Sequence, residues 1–124
     1  MAIYTNLPVY QSTYRLILSV VKMLPDLPRD CRYSMGQELR DKIMEIIVQV
    51  YRANRTRRKL PAITRMRESL VEVQVYLRLM SDMHYISEGR YIDLMDQTVA
   101  ISKQLGAWSR SEADKYSDEQ PEDE

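Results

Sequence analysis

Seven basic side chains and no acid fall between Tyr51 and Arg67, in the stretch YRANRTRRKLPAITRMR. Arg52, Arg55, Arg57, Arg58 and Lys59 lie within eight consecutive residues, and Arg65 and Arg67 follow shortly after. The chemistry open to such a group is anion binding. Basic side chains that neutralise phosphates release condensed counterions, with roughly one unit of salt slope for each contact. Arginine predominates here, which suits bidentate phosphate contact or stacking on bases. Cations near a helix carboxyl end also complement the helix dipole, for ~0.3–1 kcal/mol each. That accounts for one or two of the seven. Contact with nucleic acid, contact with an acidic protein surface, and a plain solvated loop all remain open readings of the stretch. Base-specific reading is not indicated, because no known reading module is visible.

Acid–base chemistry would have to rest on Arg78 and His84, spaced R-x5-H. This spacing resembles the arginine–histidine motif of helical RNA-cleaving HEPN domains, where a histidine can move protons. Those domains usually carry a polar residue after the arginine, whereas Leu79 follows here, and the pair ends the third apolar segment. A lone histidine at a helix end is more often a cap or a surface group. No glycine-rich phosphate loop or nucleophile motif appears, and Glu38, Asp41, Glu45, Glu68 and Glu72 read as solvent-face charges. The single Cys31 excludes an internal disulfide, and with one histidine it cannot build a protein-only zinc site. Cys31 reads as a small residue in a loop or helix start. The expectation is a non-enzyme with no metal and no cofactor.

The elements that must position the basic stretch are helical. The chain has 124 residues, 3 glycines and no phenylalanine. Its wealth of Leu, Ile, Val, Met, Arg and Glu favours helix over sheet in one domain. The formal net charge of zero conceals an asymmetry. Residues 112–124 hold seven acids and one lysine, leaving 17 basic and 11 acidic residues before them, a body of net +6. A basic body suggests an anionic partner, and the acidic tail would either screen that site or simply aid solubility. No leader and no apolar run near the ~20 residues needed to span a bilayer are present, so a cytoplasmic protein is expected.

Residues 1–7 read as an N-terminal arm. Pro8 suits a first helical turn, and Tyr10, Tyr14, Ile17, Val21 and Leu24 recur at helical spacing. Pro25 and Pro28 end that helix. Ser34-Met35-Gly36-Gln37 reads as a capping box, with the helix starting there or one turn earlier. Leu39, Ile43, Ile46, Val50 and Ala53 then mark helix two. Asn54 to Lys59 is short enough to make antiparallel neighbours. Pro61 opens helix three, with core stripe Ile63, Met66, Leu70, Val73, Leu77 and Met80. Ser87 caps helix four, marked by Tyr91, Ile92, Met95, Val99, Leu105 and Trp108 and fading after Arg110. Too few apolar residues remain in 111–124 to fold, so a disordered acidic tail is expected there. The fold class is all-α, an antiparallel up-down four-helix bundle over residues 8–110.

Two helices carry a second apolar stripe. Val71, Val75 and Leu79 lie nearly opposite the core stripe of helix three, and Met44, Val48 and Tyr51 stand outside that of helix two. A helix apolar around most of its circumference must be buried around most of it. Scattered surface apolar residues are the plainer explanation; two adjacent helices showing the effect point to a homo-oligomer. A ring of five copies would gather dozens of positive charges on one rim.

With the helices placed, the chain resembles the four-helix bundle superfamily that includes proteins encoded in bacterial ribosomal-RNA intervening sequences. Within it, the chain is most similar to the accessory variability determinant (Avd) proteins of diversity-generating retroelements. The resemblance is carried by RYSMGQELRDKI, SLVEVQVYLRLMSDMHYIS and LGAW, and covers about residues 8 to 110. Intervening-sequence proteins usually carry an Asn-Ile-Ala-Glu-Gly stretch late in helix two, where this chain has EIIVQVYRANR. The larger apolar residues and the arginine run fit the retroelement branch. That resemblance implies a homopentameric barrel that binds a reverse transcriptase and its template RNA, or an RNA/DNA hybrid, in support of mutagenic cDNA synthesis. An orphan bundle of the intervening-sequence type, and a HEPN-like ribonuclease using Arg78 and His84, are the alternatives.

Overall fold

Proline opens the first helix of the computed structural model, which describes residues 3–116. Helix α1 spans Pro8–Met23, and Pro8 suits its first turn because the missing amide would have no intrahelical partner there. Its buried stripe is Val9, Thr13, Leu16, Ile17, Val20 and Met23. This corrects the stripe read through Tyr10, Tyr14 and Val21. Tyr14 is 51% and Val21 45% exposed. The rotation is possible because Thr13 Oγ1 donates to the Val9 carbonyl at 2.7 Å, so its polar atom is satisfied inside the helix.

The proline connection is ordered. Leu24–Asp26 forms a 3-10 turn, Pro28 precedes a helical turn Arg29–Cys31, and a π-helical stretch Arg32–Gly36 runs without a break into α2, Gln37–Arg55. The Arg32 guanidinium donates to the carbonyls of Pro25 at 3.0 Å and Leu27 at 3.2 Å. The capping box does not form. Ser34 Oγ instead donates to the Asp30 carbonyl at 2.6 Å, because the chain is already helical from Arg29 and its amides are engaged. Gly36 permits the turn to pack close. A Cβ there would lie 2.9 Å from Leu24 Cδ2 and 3.2 Å from the Cys31 carbonyl oxygen. Cys31 is buried at this helix start, and burial raises its thiol pKa.

Helix α3 spans Leu60–Asp82 and α4 spans Glu88–Lys115. Ser87 Oγ accepts from the Arg90 amide at 3.1 Å, the N-cap expected of it. The stripes read on helices two and three are buried throughout, none more than 2% exposed. On α4 the buried line is Leu94, Thr98, Ile101 and Leu105, while Ile92 and Val99 are exposed. The cause is again a satisfied threonine. Thr98 Oγ1 donates to the Met95 carbonyl at 2.7 Å and accepts from Gln74 Nε2 at 3.1 Å, which also ties α3 to α4.

Each helix packs on two others, α1 on α2, α2 on α3, α3 on α4 and α4 on α1, around one core. Polar pairs mark these contacts: Lys42 with Glu72 at 3.1 Å between α2 and α3, and Gln97 Nε2 to Ser19 Oγ at 3.2 Å between α4 and α1. The hydrogen bond and charge of Glu72 raise the Lys42 pKa. The up-down order puts the start of α1, the end of α2, the start of α3 and the end of α4 at one end of the bundle. The proline connection and the 83–87 turn close the other, joined by Arg90 to Asp26 at 3.3 Å. No helix among the described residues is long and apolar enough to cross a membrane.

Candidate nucleic-acid interface

The bend between α2 and α3 is held by its own side chains. The last carbonyls of α2 have no intrahelical partner. Thr56 Oγ1 donates to the Arg52 carbonyl at 2.7 Å, and Lys59 Nζ donates to the carbonyls of Ala53 at 2.7 Å and Thr56 at 2.5 Å. Lys59 is half-buried, and its ammonium is turned onto the backbone to close the helix. The closure fixes the direction in which the neighbouring arginines leave the bundle.

Arg52, Arg55, Arg57 and Arg58 are exposed at this end. Arg55 lies over the Tyr51 ring, 5.4 Å from its centroid. Tyr51 in turn meets Tyr4 edge-on at 5.1 Å, and Tyr4 meets Tyr10 edge-on at 5.3 Å, so the N-terminal arm is anchored here by its Tyr4–Asn6 turn. Arg65 and Arg67 are exposed farther along α3. Residues two apart on a helix point roughly 200° apart, so these two leave opposite flanks of α3 and do not both join the bend. Among the described residues, Arg52, Arg55, Arg65 and Arg67 make no ion pair with a carboxylate.

The sequence reading missed a fifth contributor. Helix α4 does not fade at Arg110 but continues to Lys115, carrying Tyr116 onto the bend. The Arg57 and Arg58 guanidinium carbons lie 5.5 and 4.9 Å from the Tyr116 ring centroid, within cation–π range. The Tyr116 hydroxyl donates to the Arg57 carbonyl at 2.6 Å. The clue available in the sequence was spacing. Glu112 falls seven residues after Leu105 on the core stripe and is 5% exposed, but a carboxylate does not count as apolar periodicity. The expected disorder of the rest of the tail, residues 117–124, lies outside the described residues.

Arg78 and His84 each have a structural role at the end of α3. Arg78 Nε is engaged by Asp82 at 3.2 Å, one helical turn away. His84 ends α3: its φ is 61°, its amide donates to the Ser81 carbonyl at 3.0 Å, and the Tyr85 amide donates to the Met80 carbonyl at 2.9 Å. This is the left-handed helix-terminating position that usually holds glycine. His84→Gly is accordingly expected to raise unfolding free energy by about 0.5–1 kcal/mol in urea titration. A loss of stability would show that the imidazole makes a contact that matters more than the backbone conformation. Among the described residues no cluster of His, Cys, Asp and Glu is suited to hold a metal.

All six residues of the second stripes are exposed: Met44 45%, Val48 39%, Tyr51 41%, Val71 58%, Val75 52% and Leu79 44%. Tyr14, Leu18 and Val21 of α1 add to the first three, and Ile92 and Val99 of α4 to the last three. Helical spacing, oriented by the Lys42–Glu72, Gln74–Thr98 and Gln97–Ser19 pairs, puts these groups on opposite edges of the bundle, α1/α2 and α3/α4.

The architecture is that of a known class of four-helix proteins. A 1.70 Å crystal structure of a protein of unknown function, from the S23 ribosomal protein family of Bacteroides thetaiotaomicron VPI-5482, superposes with a TM-score of 0.76. It covers 87% of this chain and 99% of that one at 14% identity, a likeness of fold. Among curated proteins no sequence matches. The bAvd-like family model matches residues 7–112, and the chain belongs to that family.

Proposed function

We propose that this protein is a non-enzymatic accessory component of a diversity-generating retroelement. In this reading it is a homopentamer whose basic end binds template RNA, or an RNA/DNA hybrid, and helps dock the reverse transcriptase. The observation that carries the reading is the bend itself: Arg52, Arg55, Arg57 and Arg58 project from a closed, hydrogen-bonded helix end rather than from a slack loop. Membership of the bAvd-like family supports the accessory role.

Assembly follows from the two apolar edges. An edge of one kind on α1/α2 and another on α3/α4 favours head-to-tail contact between copies, and such heterologous contacts close into a ring when the rotation permits. A ring whose axis runs along the helices brings every arginine bend to one rim. Phosphates are then held by position and charge, without base reading.

The test is charge reversal of Arg52, Arg55, Arg57 and Arg58 to Glu, with Lys59 left to close α2. Template RNA affinity is expected to fall at least about 100-fold at low salt, and the salt slope to drop by roughly one unit for each phosphate no longer neutralised. Binding of the reverse transcriptase is measured in parallel. An RNA affinity and slope equal to those of the unaltered chain would remove the bend from the interface.

A further inference from the structure

We infer that a cleft between the start of α1 and the last turns of α4 takes one unstacked base of the bound RNA, laid against Trp108 and hydrogen-bonded by Gln104. This rests on the RNA reading of the bend and adds a place for a base beside the place for phosphates.

The cleft has a volume of about 300 Å³ and is lined by Leu7, Pro8 and Val9 from one side and Gln104, Ala107 and Trp108 from the other. Pro8 and Ala107 are too small to fill the space between the two helices. Its lining is apolar apart from Gln104, whose Oε1 is buried and has no hydrogen-bond partner. A buried acceptor left unpaired is destabilising and calls for a donor. The last torsion of a glutamine is broad, so the amide turns easily to present that oxygen to the cleft. An apolar slot with an indole in its wall and one amide fits a base that offers a donor beside an acceptor, as adenine does with its N6 amine and N7. Unpaired bases of single strands stack on aromatic side chains in this way.

Position favours a base over a protein side chain. The cleft opens at the pole that carries Arg52 and Arg55, neither of which makes an ion pair with a carboxylate among the described residues. Trp108 precedes Tyr116 by eight residues, roughly 12 Å of helix, and the Tyr116 hydroxyl is bonded to the bend itself. A strand whose phosphates lie on the bend therefore reaches the cleft with a neighbouring base. The exposed apolar edges are α1/α2 and α3/α4, so a cleft between α1 and α4 stays open when both edges are covered.

Trp108 is the one tryptophan of the chain, so its emission reports on the cleft alone. The full chain is titrated with an oligoadenylate, with an abasic ribose-phosphate oligomer of equal length, and with adenosine. Trp108 emission is followed throughout, and anisotropy of an end label reads oligomer binding separately. Both oligomers are expected to bind, the oligoadenylate about tenfold or more tightly, and only the oligoadenylate and adenosine to quench Trp108. Gln104→Leu should weaken adenosine about tenfold. Ala107→Leu, at an exposed position, narrows the cleft and should abolish the quenching with helix content unchanged. An oligoadenylate that binds without altering Trp108 emission, or quenching that persists in Ala107→Leu, overturns the base site and leaves the RNA reading of the bend standing. If neither oligomer binds, the RNA reading fails and the base site with it. Quenching by p-cresol and not by adenosine assigns the cleft to an aromatic side chain of a partner protein and overturns the proposal.

Discussion

Replacing Val71 and Val75 together by glutamate is expected to yield a folded monomer. Both valines point away from the core of their own bundle, at 58% and 52% exposure, so the isolated subunit should keep its helix content and melt within a few degrees of the unaltered chain. In an assembly the same positions are covered. Each subunit would then bring two carboxylates against an apolar neighbour, and burying an unpaired charge costs several kcal/mol even after relaxation. A contact between small bundles has little surplus beyond the cost of association, so two such charges dissociate it. Sedimentation velocity alongside circular dichroism reads both halves of the prediction. An assembly that survives the double substitution removes the outer face of α3 from the interface, and an unaltered protein that sediments as a monomer removes the assembly.

The second large effect lies on α1. Leu16→Ala is expected to lower unfolding free energy by about 2–5 kcal/mol, the usual range for emptying a fully buried leucine site. Val21→Ala should change it by less than about 0.5–1 kcal/mol, as an exposed position does. Leu16 is 0% and Val21 45% exposed. Urea denaturation of both variants as isolated subunits, in the Val71→Glu, Val75→Glu background, compares them without assembly contributions. A large loss at Val21 and a small one at Leu16 would reverse the orientation of α1. For a domain of this size, whose total stability is about 5–15 kcal/mol, the Leu16 change alone threatens folding.

That helix shows where the sequence was legible. On α2 and α3 the fully buried stripe is aliphatic and methionine side chains, with the polar Gln49 and Ser69 only at its margin, and its period identifies it without ambiguity. On α1 and α4 the true stripe passes through Thr13 and Thr98, each of which satisfies its hydroxyl within its own helix. The competing stripe holds Tyr14 and Val21, or Ile92 and Val99, and counts as more apolar. Hydrophobic periodicity ranks side chains by type and has no knowledge of a threonine bonded to the turn behind it. The same limit hid Glu112 and the end of α4. The basic bend, by contrast, was readable from charge alone. What charge could not distinguish was Lys59, whose ammonium turns back onto backbone carbonyls, from arginines that turn outward. The capping box failed because its letters were right and the helix had already begun.

The polarity of the bundle constrains how it can be handled. Tyr4, before α1, and Tyr116, just after α4, both stand beside the guanidinium cluster, Tyr4 through its contact with Tyr51 and Tyr116 through its contact with Arg57. A purification handle or fluorescent protein joined directly at Tyr4 or Tyr116 would crowd that surface. Grafts belong instead at the opposite pole, within the tight reversal between α3 and α4.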